Sequence, residues 1–458
     1  MKTGVVRQNI SNETGFRIDP SFHLSEALQI QSDLRHSPYP LHTVADVSEK
    51  IFIGNIFSRN FVSKPDHGVP YLAASDTVLS NINTGRFLSK NQAKQLNYLL
   101  LQKDWILVTC SGTLGNVTYT NAVFENHIAT HDLIRIIPSN HLIKSGVLYA
   151  FLASKYGYYQ LTQSRFGGVV KHINATHAGN VAIPVFNDSF QAEVNSSVLD
   201  SARLREEASY ELAKAHDLIR QYISYCPTVI HTDVCSSRSV INSHNSRFES
   251  NYYLGKGRAY DAYIRDHFDF LELGSYTTRI FRPGIFKRQY VDKGGVMFLG
   301  GADITRAIPS SDKRLSSIQV TSMPELMPKK GWLLVTCGGT IGNVVYVDNQ
   351  LSRCAISQHV IRIVPHSIED SYLLFALLSS PIGYDLITNY TYGSVIPQVE
   401  PHHLALIPVP VFASDAQSMI IAATRKYVEK IEKAKELETS AISLIEQEIG
   451  SWQKKYSR

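Results

Sequence analysis

The chain has 458 residues, of which 44% are apolar and 19% charged, with a formal net charge of +5 and a pI near 8.7. That composition excludes a disordered chain and leaves room for roughly three or four folding units. The mild basicity permits a polyanionic partner without requiring one.

The chain opens with MKTGVVRQNISNETG, which has no apolar core of signal-peptide length. A first domain is read over residues 12–186. Runs such as WILVTC, NVTYT, LIRIIP and NVAIPVF alternate with Gly, Asn and Pro, so short strands and turns are expected. One helical patch is expected at Gly146–Leu161. From 187 to 226 the chain lacks Pro and Gly, begins with the cap-type pair Asp188/Ser189, and reads as a long helix. Ala208, Leu212, Ala215, Ile219 and Tyr222 recur at helical spacing along a narrow seam. A Ser-, Thr- and Asn-rich linker, 227–242, follows.

The pattern then repeats. A second domain is read over 243–412, with its helical patch at Ser371–Leu386, and a second long helix over 413–458. Its seam is Tyr427, Ile431, Ala434, Ala441 and Ile445, the pattern of a helix that pairs with another. The longest apolar stretch, YLLFALLSSPIGY from Tyr372, is interrupted and too short to span a bilayer. A soluble cytoplasmic protein with no membrane partner is expected. The five Cys include no C-x-x-C pair, which argues against a zinc knuckle, and no metal site is expected.

The duplication is explicit in the residues. WILVTCSGTLGNVTY from Trp105 returns as WLLVTCGGTIGNVVY from Trp332, with eleven of fifteen positions identical and an offset of 227. YLAASD answers FLGGAD and HDLIRIIP answers QHVIRIVP at the same offset. RFGGVVKHINATHAGNVAIPVF answers YTYGSVIPQVEPHHLALIPVPVF. This is a tandem copy of a whole domain of about 170 residues, not a short solenoid period.

The sequence carries no phosphate loop, dinucleotide fingerprint, nucleophile elbow or H-E-x-x-H, and no catalytic residue is assigned. Asp76 and Asp303 recur, but an acid after a strand ordinarily caps a turn. Cys110 and Cys337 recur without a base beside them in sequence, as small buried residues would. Two repeated loops remain. The first offers Ser111, Thr113 and Asn116, answered by Thr340 and Asn343. Its glycines serve either a tight turn or close approach to a ligand. The second keeps its frame while its side chains differ: Arg165, Lys171 and His172 in one copy, Tyr392, Ser394 and Gln398 in the other. Arg and Lys donate to guanine and Gln pairs with adenine, so these are candidate DNA contacts, with an ordinary solvated loop as the alternative. Lys287 and Arg288 are candidate phosphate contacts.

The ordered pair of SGTLGN and GGTIGN loops, each followed by FGGVVKHI…IPVF or YGSVIPQV…IPVPVF and then a long helix, resembles the specificity subunits of type I restriction-modification systems. The resemblance covers nearly the whole chain. It implies an α+β fold of two tandem-duplicated target recognition domains, each followed by a long helix, the two helices pairing as an antiparallel coiled coil. It further implies that each domain reads one half of a bipartite, asymmetric target in double-stranded DNA. Two methyltransferase subunits would dock and bind S-adenosylmethionine. Restriction subunits, with ATP and Mg, would join in some complexes. The chain itself would hold no cofactor and catalyse nothing. NVAIPVFND lacks the family's usual Pro-Leu-Pro and Glu-Gln helix opening, a departure at the helix start. The alternatives are a specificity module of another methyltransferase-based defence complex, or a duplicated-domain hydrolase.

Overall fold

The computed structural model describes residues 27–163, 172–228, 232, 234–241, 247–393 and 397–456. The chain divides into two compact units, Met1–Glu206 with Lys433–Arg458, and Glu207–Glu432.

In the first unit β1 (Leu41–Thr43), β2 (Ser48–Phe52), β3 (Phe61–Val62), β4 (Gly68–Leu72) and β5 (Phe87–Ser89) precede β6 (Ile106–Thr109), β7 (Val117–Tyr119), β8 (Ile128–Ala129), β9 (Leu133–Pro138) and β10 (Ala182–Pro184). They form an antiparallel sheet β2-β9-β6-β7, a mixed sheet β3-β5-β4-β8 and the pair β1-β10. In the second unit β11 (Phe270–Glu272), β12 (Thr277–Phe281), β13 (Val296–Leu299), β14 (Arg314–Leu315), β15 (Leu333–Thr336), β16 (Val344–Tyr346), β17 (Ala355–Ile356), β18 (Val360–Pro365) and β19 (Pro408–Pro410) repeat the plan. The sheets are β12-β18-β15-β16, β14-β13-β17 and β11-β19. The parallel contact β4·β8 has its counterpart in β13·β17.

The repeated WILVTC and WLLVTC runs are continuous apolar stretches because both faces of their strand are covered. Ile106 and Val108 enter the larger core of the first unit, while Leu107 enters a smaller one with Trp105 and Leu72. Leu333 and Val335 part from Leu334 in the same way. Each expected helical patch is two helices. Ser145–Ala153 and Lys155–Gln163 break at Ser154, and Ile368–Ser379 and Pro381–Asn389 break at Ser380, where the backbone is extended. The helix Lys256–His267 lies in a stretch where only strands and turns were expected.

The repeated LIRIIP and VIRIVP runs place a fully buried arginine in each sheet, Arg135 and Arg362. Arg135 donates to the carbonyls of Ala129 (2.9 Å), Thr130 (3.0 Å) and Leu133 (3.0 Å). Arg362 makes the same three bonds 227 residues on, to Ile356, Ser357 and Val360. Burial pushes both guanidinium groups down to about 10, so they stay charged at neutral pH.

The long helices run Asp188–Ile223 and Ser414–Tyr456. The first stops short of the expected 226 because Ser224 turns left-handed (φ 48°) and its N–H closes on the Arg220 carbonyl. The second runs through Gly450, since fully buried Trp452 packs against Tyr39 and Phe186 and carries the last turn with it. The units do not divide as domain plus following helix. Each takes part of both helices, because each apolar seam is covered by whichever sheet it meets. In the first unit Ser201 Oγ donates to the Ala434 carbonyl (2.8 Å) and Arg205 pairs with Glu438 (2.7 Å). In the second unit Lys430 pairs with Glu207, and Lys426 with Glu211 at 3.9 Å. Residue numbers fall on one helix as they rise on the other, so within the second unit the segments run antiparallel.

Of the seam residues, Ala208, Ala215, Ile219, Ala434, Ala441 and Ile445 are fully buried. Leu212, Tyr222, Tyr427 and Ile431 are half-buried, and the Tyr222 hydroxyl donates to the Val411 carbonyl. Helix and sheet are clamped identically in the two units. Glu206 accepts from the Ala122 N–H (2.8 Å) and pairs with Lys103 (3.0 Å), and Glu432 accepts from the Asn349 N–H (3.0 Å) and pairs with Lys330 (2.9 Å). Among the described residues no helix is long and apolar enough to cross a membrane.

Candidate nucleic-acid interface

The first repeated loop leaves β6 at Thr109 and returns at Val117. Thr109 organises it: its hydroxyl donates to the Thr113 carbonyl (2.5 Å) and accepts from the Asn116 N–H (3.0 Å). The Asn116 side chain also donates to the Thr113 carbonyl (3.2 Å), the self-bonded turn that Asn favours. In the second unit Thr336 accepts from the Asn343 N–H (3.1 Å), and Gly342 N–H bonds the Thr336 carbonyl (3.0 Å). The glycines divide two tasks. Gly115 and Gly342 have positive φ and press on the helix behind, where a Cβ would meet Tyr158 and Thr162, or Tyr384 and Thr388. Gly112 and Gly339 also have positive φ but face open space at the tip. Thr113 and Thr340 stand exposed beside them, with Ser111, Asn116 and Asn343 half-exposed.

The two repeated loops, far apart in sequence, come together. Ser111 forms an isolated bridge with His172, and Gly338 forms one with Gln398. The Ile173 and Val399 N–H groups bond the carbonyls of Cys110 and Cys337 (3.2 Å each), fixing the junction. In the second unit Tyr392 and Gln398 exchange backbone bonds (2.9 and 2.8 Å). His172 and Gln398 therefore occupy corresponding places beside the first loop. Arg165, Lys171 and Ser394 lie outside the described residues.

Tyr392 is partly committed to its own unit. Its hydroxyl donates to Glu400 (2.7 Å), which pairs with Arg282 (2.8 Å), a pair sequence reasoning missed. Burial, and then Glu400, raise the Tyr392 hydroxyl above its ordinary pKa. Arg288 donates to Gln358 (3.4 Å), next to His359, whose carbonyl accepts from Cys337 N–H (3.4 Å). It is thereby linked to the loop junction. Lys287 is exposed.

The recurring acids are caps. Asp76 accepts from the Ala73 N–H (2.6 Å) and pairs with Arg86, and Asp303 accepts from the Gly300 N–H (2.9 Å). The buried Cys110 thiol is pushed up to about 11 by desolvation, and Cys337 is raised for the same reason, the opposite of an activated nucleophile. Among the described residues no group of three His, Cys, Asp or Glu is placed to hold a metal ion.

One repeated segment escaped the sequence reading. IFIGNIFSRNF (51–61) answers IFRPGIFKRQY (280–290) at an offset of 229, not 227, because the first copy has two more residues before β4. The shifted register hides it from a comparison at fixed offset. Arg59 and Arg288 are its matched cations. Arg59 donates to the Tyr71 hydroxyl (2.6 Å) and lies over that ring, and Arg288 lies over Phe298 (5.4 Å).

The model of the type I restriction modification DNA specificity domain matches this chain twice, over residues 41–192 and 281–440. The chain belongs to that family: it is built as a type I restriction-modification specificity subunit, with two tandem domains. Among solved structures it is similar to the type I restriction-modification S subunit from M. genitalium, at 13% identity and a TM-score of 0.35, covering 90% of this chain and 94% of that one. It is also similar to the HsdS subunit from Thermoanaerobacter tengcongensis, at 12% identity and a TM-score of 0.28, covering 90% and 96%. A search of curated protein sequences finds no match.

Proposed function

We propose that this chain is the DNA-specificity subunit of a type I restriction-modification complex and is itself non-catalytic. Each unit reads one half of a bipartite, asymmetric target in double-stranded DNA. The observation that carries this reading is the loop pair. The same backbone bonds build it twice, yet its side chains differ, with Ser111 and His172 in one unit where the other has Gly338 and Gln398. Equal scaffolds with unequal donors and acceptors suit two readers of two different sequences. Thr113 and Thr340, exposed at the open glycine tips, would supply backbone or base contacts.

The long helices serve as the spacer and as the docking surface for two methyltransferase subunits. A helix of 36 residues is about 54 Å long, the rise of roughly 16 base pairs. S-adenosylmethionine would be held by the methyltransferase subunits, and ATP and Mg by restriction subunits where these join.

Modified-base sequencing of the host genome, with the gene intact and deleted, tests this. Loss of one bipartite N6-methyladenine motif on deletion is expected. An unchanged methylation map, in a host whose methyltransferase co-purifies with the chain and is active, rejects the reading.

A further inference from the structure

Two large aliphatic side chains stand in solvent at matching places in the two units. Ile56 is 86% exposed and Ile285 is 93% exposed. They lie in the segment repeated at offset 229, where five of eleven positions are identical. The other four identities have local work. Ile51/Ile280 and Phe52/Phe281 belong to strands, Phe57/Phe286 pack against the smaller cores, and Arg59/Arg288 hydrogen-bond their own units. Ile56 and Ile285 contribute almost no burial to the fold, so packing does not account for their being the same residue in copies that have otherwise diverged. The Phe that follows each one anchors the loop and leaves the Ile presented outward.

The surroundings point to a polyanion. Residues 53–61 contain Arg59 and no acid, and the equivalent residues 282–290 contain Lys287, Arg288 and Arg282, the last paired with Glu400, and no acid of their own. An apolar tip on an acid-free basic loop is matched to a DNA groove, where charge meets phosphate and the aliphatic group meets the apolar part of a base. It is poorly matched to a protein surface of mixed charge.

We propose that Ile56 and Ile285 are apolar contact tips, one per unit, that enter a groove of the target duplex and touch base carbon. This rests on the specificity-subunit reading above. The base carbon is either a thymine C5-methyl group at the groove edge or the ring face at a partly unstacked step.

The test uses the full chain assembled with its methyltransferase, and its methylation-mapped target as a labelled duplex. Ile56→Ser, Ile285→Ser and the conservative Ile56→Leu and Ile285→Leu are compared by anisotropy titration. Each Ser variant is expected to weaken binding about tenfold or more, with Leu restoring most of it. The slope of log affinity against log salt should stay unchanged, because no charge is removed. Deoxyuridine for thymine in one half-site should abolish the difference between wild type and one Ser variant if the contact is the methyl group. A 2-aminopurine signal lost in the Ser variant identifies a wedge instead. Wild-type affinity in both Ser variants overturns the inference while leaving the specificity reading intact. Unchanged DNA affinity with loss of the methyltransferase from the complex makes the tips protein contacts and also overturns it. A wild-type complex with no preference for the mapped target removes both.

Discussion

Replacing Arg362 with Met tests the account of the buried arginines most directly. Arg362 is completely buried and donates to three backbone carbonyls where β17 passes into β18, those of Ile356, Ser357 and Val360. Met keeps the apolar stem and removes every guanidinium donor, so the Ile356 and Val360 carbonyls lose this partner while Ser357 keeps only the Val360 N–H (3.3 Å). Orphaning a buried acceptor costs about 1–3 kcal/mol each, and relief of the buried charge offsets part of the total. A net loss of about 3 kcal/mol is expected, a rise of roughly a hundredfold in local opening. Hydrogen exchange of the full chain, read on peptides spanning 355–365 and 128–138, measures it. The first peptide should lose protection while the second, held by Arg135, keeps it. Arg135→Met should reverse the pattern. A loss under about 1 kcal/mol would mean that these arginines are passengers in their sheets.

Two further substitutions probe other links of the argument. His216 contacts Ser379 Oγ at 3.0 Å, and burial lowers its pKa from 6.5 to about 4. The unfolded chain therefore takes up the proton first, so its contribution to stability is complete above about pH 6.5 and is lost as pH falls towards 4. The loss is up to about 3 kcal/mol, and denaturation midpoints measured across that window should flatten in His216→Phe. Gly342→Ala places a Cβ at positive φ and about 3.0 Å from the Tyr384 ring. It should cost about 1 kcal/mol or more and weaken recognition of one half-site only, read by competition between duplexes mutated in either half. Equal loss at both halves would count against independent readers.

The candidate site was only partly visible in sequence. The repeated loops and their differing side chains stood out because the duplication supplies its own comparison. Nothing local announces that Ser111 meets His172 or that Gly338 meets Gln398, since these bridges join segments about 60 residues apart. The Arg282–Glu400 pair was missed for the same reason, and the Ile56/Ile285 tips because their register differs by two residues.

By itself the sequence determined the tandem copy, the strand runs around Trp105 and Trp332, the two long helices and the family. All of these are written in identity, periodicity and cap residues over short spans. Only the tertiary structure decided that each long helix is shared between two units, that Ser111 meets His172 and Gly338 meets Gln398, and that the arginine of LIRIIP and VIRIVP is a buried staple, not a surface cation. The reason is the same in each case. A covering sheet, a bridging strand or three carbonyls waiting for a donor come from residues distant in the chain, and side-chain type alone does not say which distant partner will meet it.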